Sequence, residues 1–488
     1  MPSRHELLLN ELTTVVGCER AGIADGQNGA IHSKDVVVRM GNGHQASALN
    51  RLRQRINYMG LDYRNTNTLW ASVLVETLAQ LGLELAVLCP GSRCTPLTVA
   101  FAAHPHIEAV PILDERSAAF FALGVARRSH RPVVLVCTSG TAGANFYPAV
   151  IEAHESRVPL LILTADRPPE LRDCQAGQAI DQQKLYGQFP RWYHEVMVPI
   201  AQRSSLATLR QTLVQAWQRA QAPIAGVVHL NCPLRDPLAP TPDPAQPPLP
   251  ELEPDFFAHV AIAGSTYHNV NVLPAEILDF AWSQWHRAAT GLIIAGPAQP
   301  VAAASYCAAI AELSQALNWP VLAEALSPVR NYADRNSQVV TTYDWLLRHS
   351  QRAAELQPEQ VIQLGPLPTS KVLRQWLAAG QAQRWVIDAG DRNVDPLHGH
   401  TIHLPTTVAA IAAQPHQGAR ARTSPRPQWS KKVSKRDYTQ TWLKLDRQVR
   451  TWLTAQLTLP APLIEPQITD VLSRQLPQGT PLFIANSM

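Results

Sequence analysis

Charged side chains are scarce in this sequence. They make up 16% of its 488 residues, against about 25% in an average soluble protein. The formal net charge is only +4, so no strong field favours binding to nucleic acid or to an anionic membrane surface. Hydrophobic residues make up 46% of the chain, which excludes an intrinsically disordered protein. This length and composition predict two or three domains with large buried cores.

Cysteine pairs and long apolar runs are lacking as well. Seven cysteines are scattered without a CxxC pair, which indicates reduced, mostly buried thiols in a cytoplasmic protein. No apolar run approaches the roughly 20 residues that a membrane helix needs, so we expect no membrane insertion. The sequence has no HExxH motif, no zinc-spaced cysteine and histidine cluster, no GxSxG elbow and no Walker loop. These absences exclude the enzyme classes that depend on those motifs.

The first 58 residues have little periodicity and none of the features of a cleaved leader. They contain no apolar core of a signal peptide. The acidic side chains that argue against a transit peptide are Glu6, Glu11, Glu19, Asp25 and Asp35. Met59 stands directly before a helix start, so we expect residues 1–58 to be an extension outside the fold.

Short apolar strands alternate with helices from Asn65 onward. Asn67 is a candidate cap for the first helix, and Gly82 a candidate stop. The predicted strands of this first domain, residues 59–240, are Leu85–Cys89, Ala109–Leu113, Pro132–Cys137 and Pro159–Thr164. This alternation predicts an α/β fold with an open parallel sheet covered by helices on both faces.

A second α/β pattern follows a proline-dense stretch within residues 235–257, of which 241–257 are predicted to be a stiff linker. The central domain is predicted over 258–416, with strands Gly291–Ala295, Pro320–Ala323, Val361–Leu364, Arg384–Asp388 and Thr401–Leu404. Residues 417–436 are a basic linker, interpreted as a solvated connector rather than a nucleic-acid arm because no aromatic residues accompany the charges in a stacking platform. Helices at 437–457 and 466–474 and a strand at 481–485 predict the start of a third, truncated domain over 437–488.

Polar side chains fall just past the predicted strand ends, where open α/β sheets bind ligands. Glu115 lies between an apolar strand and an apolar helix, so its carboxyl group is expected to be poorly solvated, with a raised proton affinity. Such a group suits proton exchange with a nitrogen heterocycle. The alternative is a helix N-terminal carboxylate, with Asp114 or Glu115 favoured by the helix dipole.

Two arginines and a hydroxyl-rich turn occupy neighbouring loops. Thr138-Ser139-Gly140-Thr141 is a strand-to-helix turn able to present backbone N–H groups to an anion. Arg93 and Arg167 each follow a strand beside prolines, and two guanidinium forks on one rim suggest a polycarboxylate substrate. A single surface ion pair for each arginine is the alternative. Lys371 opens a helix, where the dipole mildly disfavours it, but from the residues alone a solvated lysine is the better explanation.

These residues lie in a series of segments that resembles one enzyme family. The segments are PGSRCTPLT (90–98), DERSAAFFALG (114–124), TSGTAGANFYPAVIEA (138–153), TADRPPELRDC (164–174), QAIDQ (178–182), VHLNCPLRDPL (228–238), SKVLRQW (370–376) and the final IANSM. In this order they closely resemble 2-succinyl-5-enolpyruvyl-6-hydroxy-3-cyclohexene-1-carboxylate synthase, over residues 65–488.

The resemblance implies a reaction and a set of site residues. The family joins 2-oxoglutarate, with loss of CO2, to isochorismate, using thiamine diphosphate and Mg²⁺ (or manganese), on the way to menaquinone or phylloquinone. Glu115 matches the glutamate that hydrogen-bonds the aminopyrimidine, and Thr138, Ser139 and Gly140 match a cofactor-binding turn. The matching substrate positions are Ser92, Arg93, Arg167, Gln178, Lys371 and Ser487. Gly177 and Val372 depart from the pattern of some relatives, which carry asparagine and a basic residue there.

The resemblance also implies a homodimer or homotetramer, because family active sites lie between subunits. The Gly-Asp-Gly-like turn and asparagine that hold Mg²⁺ in thiamine enzymes do not occur in this sequence. We therefore expect no metal ligand within this chain, and we expect that the chain alone neither binds the cofactor tightly nor turns over. Two alternatives remain: another thiamine-dependent carboligase, similar to acetolactate synthase, and a non-catalytic fragment or pseudo-enzyme that binds carboxylates.

Overall fold

Short strands buried on both faces alternate with helices throughout the computed structural model. It describes residues 60–244, 246, 248–253, 255–258, 260–263, 272–414, 435–457, 465–477 and 480. The predicted N-terminal extension, most of the basic linker, the predicted strand at 481–485 and Ser487 lie outside the described residues. The predicted domain boundaries remain predictions.

The first half of the described chain contains six strands and the helices between them. The strands are β1 (Leu85–Leu88), β2 (Glu108–Pro111), β3 (Val133–Cys137), β4 (Leu160–Asp166), β5 (Trp192–Glu195) and β6 (Val227–Pro233). The helices are α1 (Thr66–Leu81), α2 (Thr95–Ala103), α3 (Glu115–Ser129), α4 (Thr141–Ala144), α5 (Tyr147–Ser156), α6 (Arg203–Gln221) and α7 (Val260–Ala263), with a 3-10 turn at Pro169–Leu171.

These six strands form one parallel sheet in the order β2-β1-β3-β4-β6-β5. Val134 and Val136 of β3 pack into the core on one face, and Val133 and Leu135 into the core on the other. Burial on both faces explains why β3 is a continuous apolar run. The predicted parallel sheet is therefore confirmed, and the carboxyl ends of all six strands meet at one edge.

The first helix starts earlier than the sequence analysis expected. Asn65, rather than Asn67, is the N-cap of α1, with its side chain accepting a hydrogen bond from the Thr68 backbone N–H at 2.9 Å. The Asn67 side chain instead donates to the carbonyl oxygens of Arg235 and Pro237. Gly82 ends the helix at φ +104°, as predicted. Asn67 thus ties the helix to the loop that follows β6.

The second half repeats the architecture with a second parallel sheet, ordered β12-β11-β10-β7-β8-β9. Its strands are β7 (Gly291–Ala295), β8 (Val321–Ala323), β9 (Val339–Val340), β10 (Gln360–Leu364), β11 (Gln383–Ile387) and β12 (Thr401–Leu404). The helices are α8 (Ala275–Arg287), α9 (Ala303–Leu317), α10 (Tyr343–Leu347), α11 (Ser350–Glu355), α12 (Lys371–Ala379), α13 (Val408–Ala413), α14 (Lys435–Leu457) and α15 (Glu465–Gln475), with a 3-10 segment at Pro328–Arg335.

Helix α14 packs on this second half. Trp442 is fully buried in the core beside β10, and the Tyr438 hydroxyl donates to the Leu356 carbonyl at 2.7 Å. Asp446 accepts hydrogen bonds from the backbone N–H groups of Thr341 and Thr342. The helix is therefore part of the packing of the second sheet.

The two halves are joined by ion pairs and by a packed linker. Arg157 at the end of α5 makes a two-bond pair with Asp388 at the end of β11, each bond 3.0 Å long. Arg392 pairs with Glu155 at 3.0 Å. In the proline-rich segment, Leu252 is buried in the core of the first half. Within the described ranges, no helix has both the length and the apolarity needed to cross a membrane.

Candidate active site

Two strand-end loops of the first sheet are pressed together at Gly91. A Cβ added to Gly91 would lie 2.3 Å from the Cβ of Thr138, so only glycine allows the loop after β1 to approach the turn after β3 this closely. Gly91 precedes Ser92 and Arg93, and Thr138 begins the hydroxyl-rich turn. The contact therefore brings two of the predicted site segments together.

Substituting Gly91 by alanine is expected to lower the free energy of unfolding by about 1–3 kcal/mol, because the new methyl group overlaps a buried side chain. Gly124 in α3 is the matched control, since a Cβ added there meets nothing within 4 Å. Gly124→Ala is expected to stabilise the protein by about 0.5–1 kcal/mol, the usual effect in a helix. Urea unfolding of both variants checks this, and equal effects would show that the loop contact does not constrain Gly91.

The turn after β3 is held from two sides by glutamine side chains. Gly140 has φ +89°, and its N–H donates to Gln182 Oε1 at 2.7 Å. Gln178 Nε2 donates to the Ser139 carbonyl at 3.1 Å. The sequence analysis expected the N–H groups of this turn to be offered to an anion, but the Gly140 N–H is already bound within the protein. The turn is therefore a fixed platform, with the Ser139 hydroxyl as one of its polar groups.

Arg167 lies over this platform. Its NH1 donates to the Ser139 hydroxyl at 2.8 Å and its NH2 to the Gly177 carbonyl at 2.7 Å. Its own backbone N–H donates to Asp166 Oδ1 at 2.7 Å. Burial, together with the positive charge of Arg93, lowers the pKa of Arg167 from its ordinary value. The two arginines that the sequence placed on one rim are connected through Leu234, whose carbonyl accepts from Arg93 and whose N–H donates to the Asp166 carbonyl.

Arg93 is buried, with 8% of its surface exposed. Its NH1 donates to the Leu234 carbonyl at 2.9 Å and lies 3.6 Å from Asp236 Oδ2, while its Nε has no hydrogen-bond partner among the residues that the structure describes. Two neighbouring guanidinium groups repel each other, and an anion between them would relieve the repulsion. Arg93 already has an ion-pair partner in the exposed Asp236, so the polycarboxylate site and the surface ion pair both remain predictions.

Glu115 and Asp114 divide the roles that the sequence left open. Asp114 is the N-cap of α3, and its side chain accepts from the Ser117 N–H at 2.8 Å. Hydrogen bonds from Ser117 hold the pKa of Asp114 below its usual value. Glu115 is half-buried at the first position of the helix. Because Asp114 provides the cap, Glu115 is not needed for it.

Glu115 has the buried Cys89 thiol as a neighbour towards the protein interior, and exposed apolar residues occur near it in the sequence. Burial, followed by the negative charge of Glu115, raises the pKa of the Cys89 thiol to about 12. On the outer side, Leu113 is 83% exposed, and Phe120 and Phe121 of α3 are also exposed. Exposed apolar side chains therefore occur at the start and in the middle of the helix that Glu115 begins.

Other predicted residues are not brought into this cluster. Lys371 lies in the second half, exposed, at the first turn of α12. Ser92 is exposed beside Arg93, and Ser487 lies outside the described residues. In the part of the chain that the structure describes, no group of three or more histidine, cysteine, aspartate or glutamate side chains is arranged to hold a metal ion.

Sequence analysis missed a buried polar network behind the arginines. It consists of Asp166, Gln182 and Asn231, which are at most 1% exposed, with Thr164, Arg172 and Glu195 around them. Asn231 Nδ2 donates to Asp166 Oδ2 at 2.8 Å, and Arg172 lies 2.9 Å from both Asp166 and Glu195. The signal was present in the segments TAD, HLN and QAIDQ, where polar residues end or follow apolar strands.

Comparisons with known proteins agree with the α/β fold. A family model described as "Thiamine pyrophosphate enzyme, N-terminal TPP binding domain" matches residues 70–185. A second, described as "Middle domain of thiamine pyrophosphate", matches residues 267–484. A putative thiamin diphosphate-dependent enzyme from Mycobacterium smegmatis shares the fold, with a TM-score of 0.50 and 18% identity over 74% of this chain and 65% of that one.

Curated relatives are much more similar. The 2-succinyl-5-enolpyruvyl-6-hydroxy-3-cyclohexene-1-carboxylate synthase of Acaryochloris marina is 53% identical over 437 residues, covering 88% of this chain and 72% of its own length. The enzyme of the same name from a Nostoc species is also 53% identical, over 88% of this chain and 71% of its own. The resemblance drawn from the motifs is confirmed: the chain belongs to the 2-succinyl-5-enolpyruvyl-6-hydroxy-3-cyclohexene-1-carboxylate synthase family of thiamine-diphosphate enzymes.

Proposed function

We propose that the carboxyl edge of the first sheet is the substrate side of a carboligase that joins 2-oxoglutarate, with loss of CO2, to isochorismate. The observation that carries this proposal is that Leu234 links the two arginines: its carbonyl accepts from Arg93, and its N–H donates to the carbonyl of Asp166, the residue before Arg167. Arg93 has a buried Nε without a partner among the described residues. Both substrates carry two carboxylates, and guanidinium groups pair with carboxylates through charge-assisted hydrogen bonds. The product belongs to menaquinone or phylloquinone synthesis.

Each site residue then has a role. Arg93 and Arg167 bind substrate carboxylates, and Ser92 and Gln178 offer a hydroxyl and an amide at the same edge. Lys371 supplies a further positive charge from the second half, and Ser487 is proposed as a substrate contact on the strength of the family motif alone.

The residues around Glu115 fit the aminopyrimidine of thiamine diphosphate. The half-buried Glu115 carboxyl, on a helix that also exposes Phe120 and Phe121, can hydrogen-bond a ring nitrogen. When bound, the cofactor supplies the carbon nucleophile that attacks the keto acid. Glu115 would hold or move the proton at the ring nitrogen, and Thr138, Ser139 and Gly140 would support the cofactor. We propose Mg²⁺ as the companion ion and assign it no ligand among the described residues.

The same exposed apolar residues support a homodimer or homotetramer. Leu113, Phe120 and Phe121 are exposed at and near the start of the helix that carries Glu115, and a second copy would cover them. Sedimentation velocity of the purified protein checks this proposal, and a monomer at micromolar concentration would contradict it. The buried thiols Cys89, Cys94 and Cys137 are free, which fits the cytoplasmic location that we propose.

The substrates distinguish this function from its alternatives. The protein is produced in its source organism from a tagged copy of the gene at the native locus, so that any bound partner co-purifies. The purified protein is then incubated with thiamine diphosphate and Mg²⁺. We expect the succinyl-cyclohexene carboxylate product by mass spectrometry only when 2-oxoglutarate and isochorismate are both present. Acetolactate formed from pyruvate would indicate the other carboligase class. Binding of isochorismate without any product would indicate a carboxylate-binding protein.

A further inference from the structure

Gln182 makes a complete set of hydrogen bonds in the buried interior of the site. Its Oε1 accepts from the Gly140 N–H at 2.7 Å. Its Nε2 donates to the Ala165 carbonyl and to Asn231 Oδ1, each at 3.1 Å. The side chain is 1% exposed. Since Gly140 offers a donor and the other two groups offer acceptors, only one orientation of the amide satisfies all three contacts.

The partners of Gln182 belong to both functional loops. Gly140 follows Ser139 in the turn after β3, and Ala165 lies two residues before Arg167 at the end of β4. Asn231 continues the connection, because its Nδ2 donates to Asp166 Oδ2 at 2.8 Å. Asp166 Oδ1 in turn accepts from the Arg167 backbone N–H. One amide therefore bridges the turn predicted to bind the cofactor and the strand end that carries the substrate arginine.

The far side of the network is equally fixed. Thr164 Oγ1 bonds to both Asn231 Oδ1 and His229 Nε2 at 2.8 Å. Burial lowers the pKa of His229 to about 3, so this imidazole is neutral at ordinary pH and brings no charge to the network. Arg172 Nε donates to the Arg167 carbonyl at 3.2 Å. The backbone N–H and the backbone carbonyl of Arg167 are thus both hydrogen-bonded to residues of this network.

We propose that Gln182 is a positioning residue that sets the distance between the Ser139 hydroxyl and the Arg167 guanidinium, and so couples the cofactor side of the site to the substrate side. This inference rests on the proposed function. Ser139 accepts from Arg167 at 2.8 Å, so a shift of the turn would release the guanidinium from its support. Gln182 touches neither reacting group and acts through Gly140 and Asn231.

Gln182→Leu removes all three hydrogen bonds at nearly constant volume. Gln363→Leu is the matched control: Gln363 is also a fully buried amide, and it donates to the Gly365 and Val394 carbonyls in the second half. Hydrogen–deuterium exchange is followed in peptides covering 137–147 and 164–176 of the ligand-free protein. Isochorismate is then titrated into both variants by calorimetry.

We expect Gln182→Leu to exchange faster in both peptides and to bind isochorismate about tenfold more weakly, as the loss of buried hydrogen bonds predicts. Gln363→Leu is expected to destabilise the protein while leaving both peptides and the affinity unchanged. Unchanged exchange in Gln182→Leu would overturn the proposal even if the wild type bound no isochorismate, so this failure differs from a failure of the proposed function.

Should Gln182→Leu not fold, Gln182→Glu provides the second test. It keeps the shape and the acceptor for the Gly140 N–H, but the ionised carboxylate faces the oxygens of Ala165 and Asn231. We expect faster exchange chiefly in the peptide 164–176, because the Ala165 carbonyl loses the hydrogen bond from Gln182 Nε2. Exchange equal to that of the wild type in that peptide would contradict the coupling.

Discussion

Replacing Glu115 by glutamine is expected to lower the rate of carbon–carbon bond formation by about 10²–10⁴-fold, the range that a positioned acid or base contributes. Glutamine has nearly the same shape but cannot exchange a proton with the aminopyrimidine at neutral pH. The rate is measured as CO2 release from 2-oxoglutarate in the presence of isochorismate, with the variant expressed in place of the native gene.

Asp114→Asn is the matched control for this substitution. The two carboxylates are neighbours at the start of α3, but Asp114 is the cap and accepts from the Ser117 N–H. Asparagine caps helices as well as aspartate does, so Asp114→Asn should keep the helix intact. We therefore expect the activity of this variant to stay within about twofold of that of the wild type. Loss of activity in Asp114→Asn, or full activity in Glu115→Gln, would reverse the roles assigned to these two residues.

The sequence predicted the parallel sheets because strands buried on both faces are continuous apolar runs. Residues 291–295 and 401–404 were predicted to be strands with the bounds that the structure has. Strands β5, β6 and β9 were missed. His229 and Asn231 interrupt the apolar run of β6, and their burial depends on partners from β4 and from the loop at Gln182. Periodicity along one strand contains no information about such partners.

The sequence predicted which residues lie close together in the candidate site when those residues directly follow strand ends. Arg93 and Arg167 follow strand ends, and parallel strands bring those ends together at one edge. Gln178 and Ser139 were placed in the same site by motif resemblance, and the structure brings them into contact. The use of the Gly140 N–H was not predictable, because the acceptor comes from a glutamine 42 residues away.

The cap of helix α1 is a second feature that tertiary contacts determine and the local sequence does not. Asn65 and Asn67 both lie at the start of α1, and either side chain can cap a helix. The structure selects Asn65, because Thr68 completes a reciprocal pair with it, whereas Asn67 is used by the loop after β6. Local propensity identified the helix start to within two residues, and tertiary contacts determined which asparagine caps it.

Arg167 is the residue on which the proposed binding of substrate carboxylates depends most. Its guanidinium is held by Ser139 and Gly177 on one side, with Arg93 as a charged neighbour. Replacing it by methionine keeps much of the apolar volume and removes the charge. Truncating one partner of a buried, hydrogen-bonded charge pair commonly costs about 2–5 kcal/mol. We therefore expect isochorismate to bind at least about 30-fold more weakly to Arg167→Met.

The measurement is a calorimetric titration of isochorismate into the wild type, Arg167→Met and Arg131→Met. Arg131 is the control because it is an exposed arginine paired with Glu84 at the surface, away from the strand ends that carry the site. We expect the wild type and Arg131→Met to bind isochorismate equally, and Arg167→Met to bind it at least about 30-fold more weakly. Equal affinity in all three proteins would contradict the central claim that this edge of the first sheet binds the carboxylate substrate.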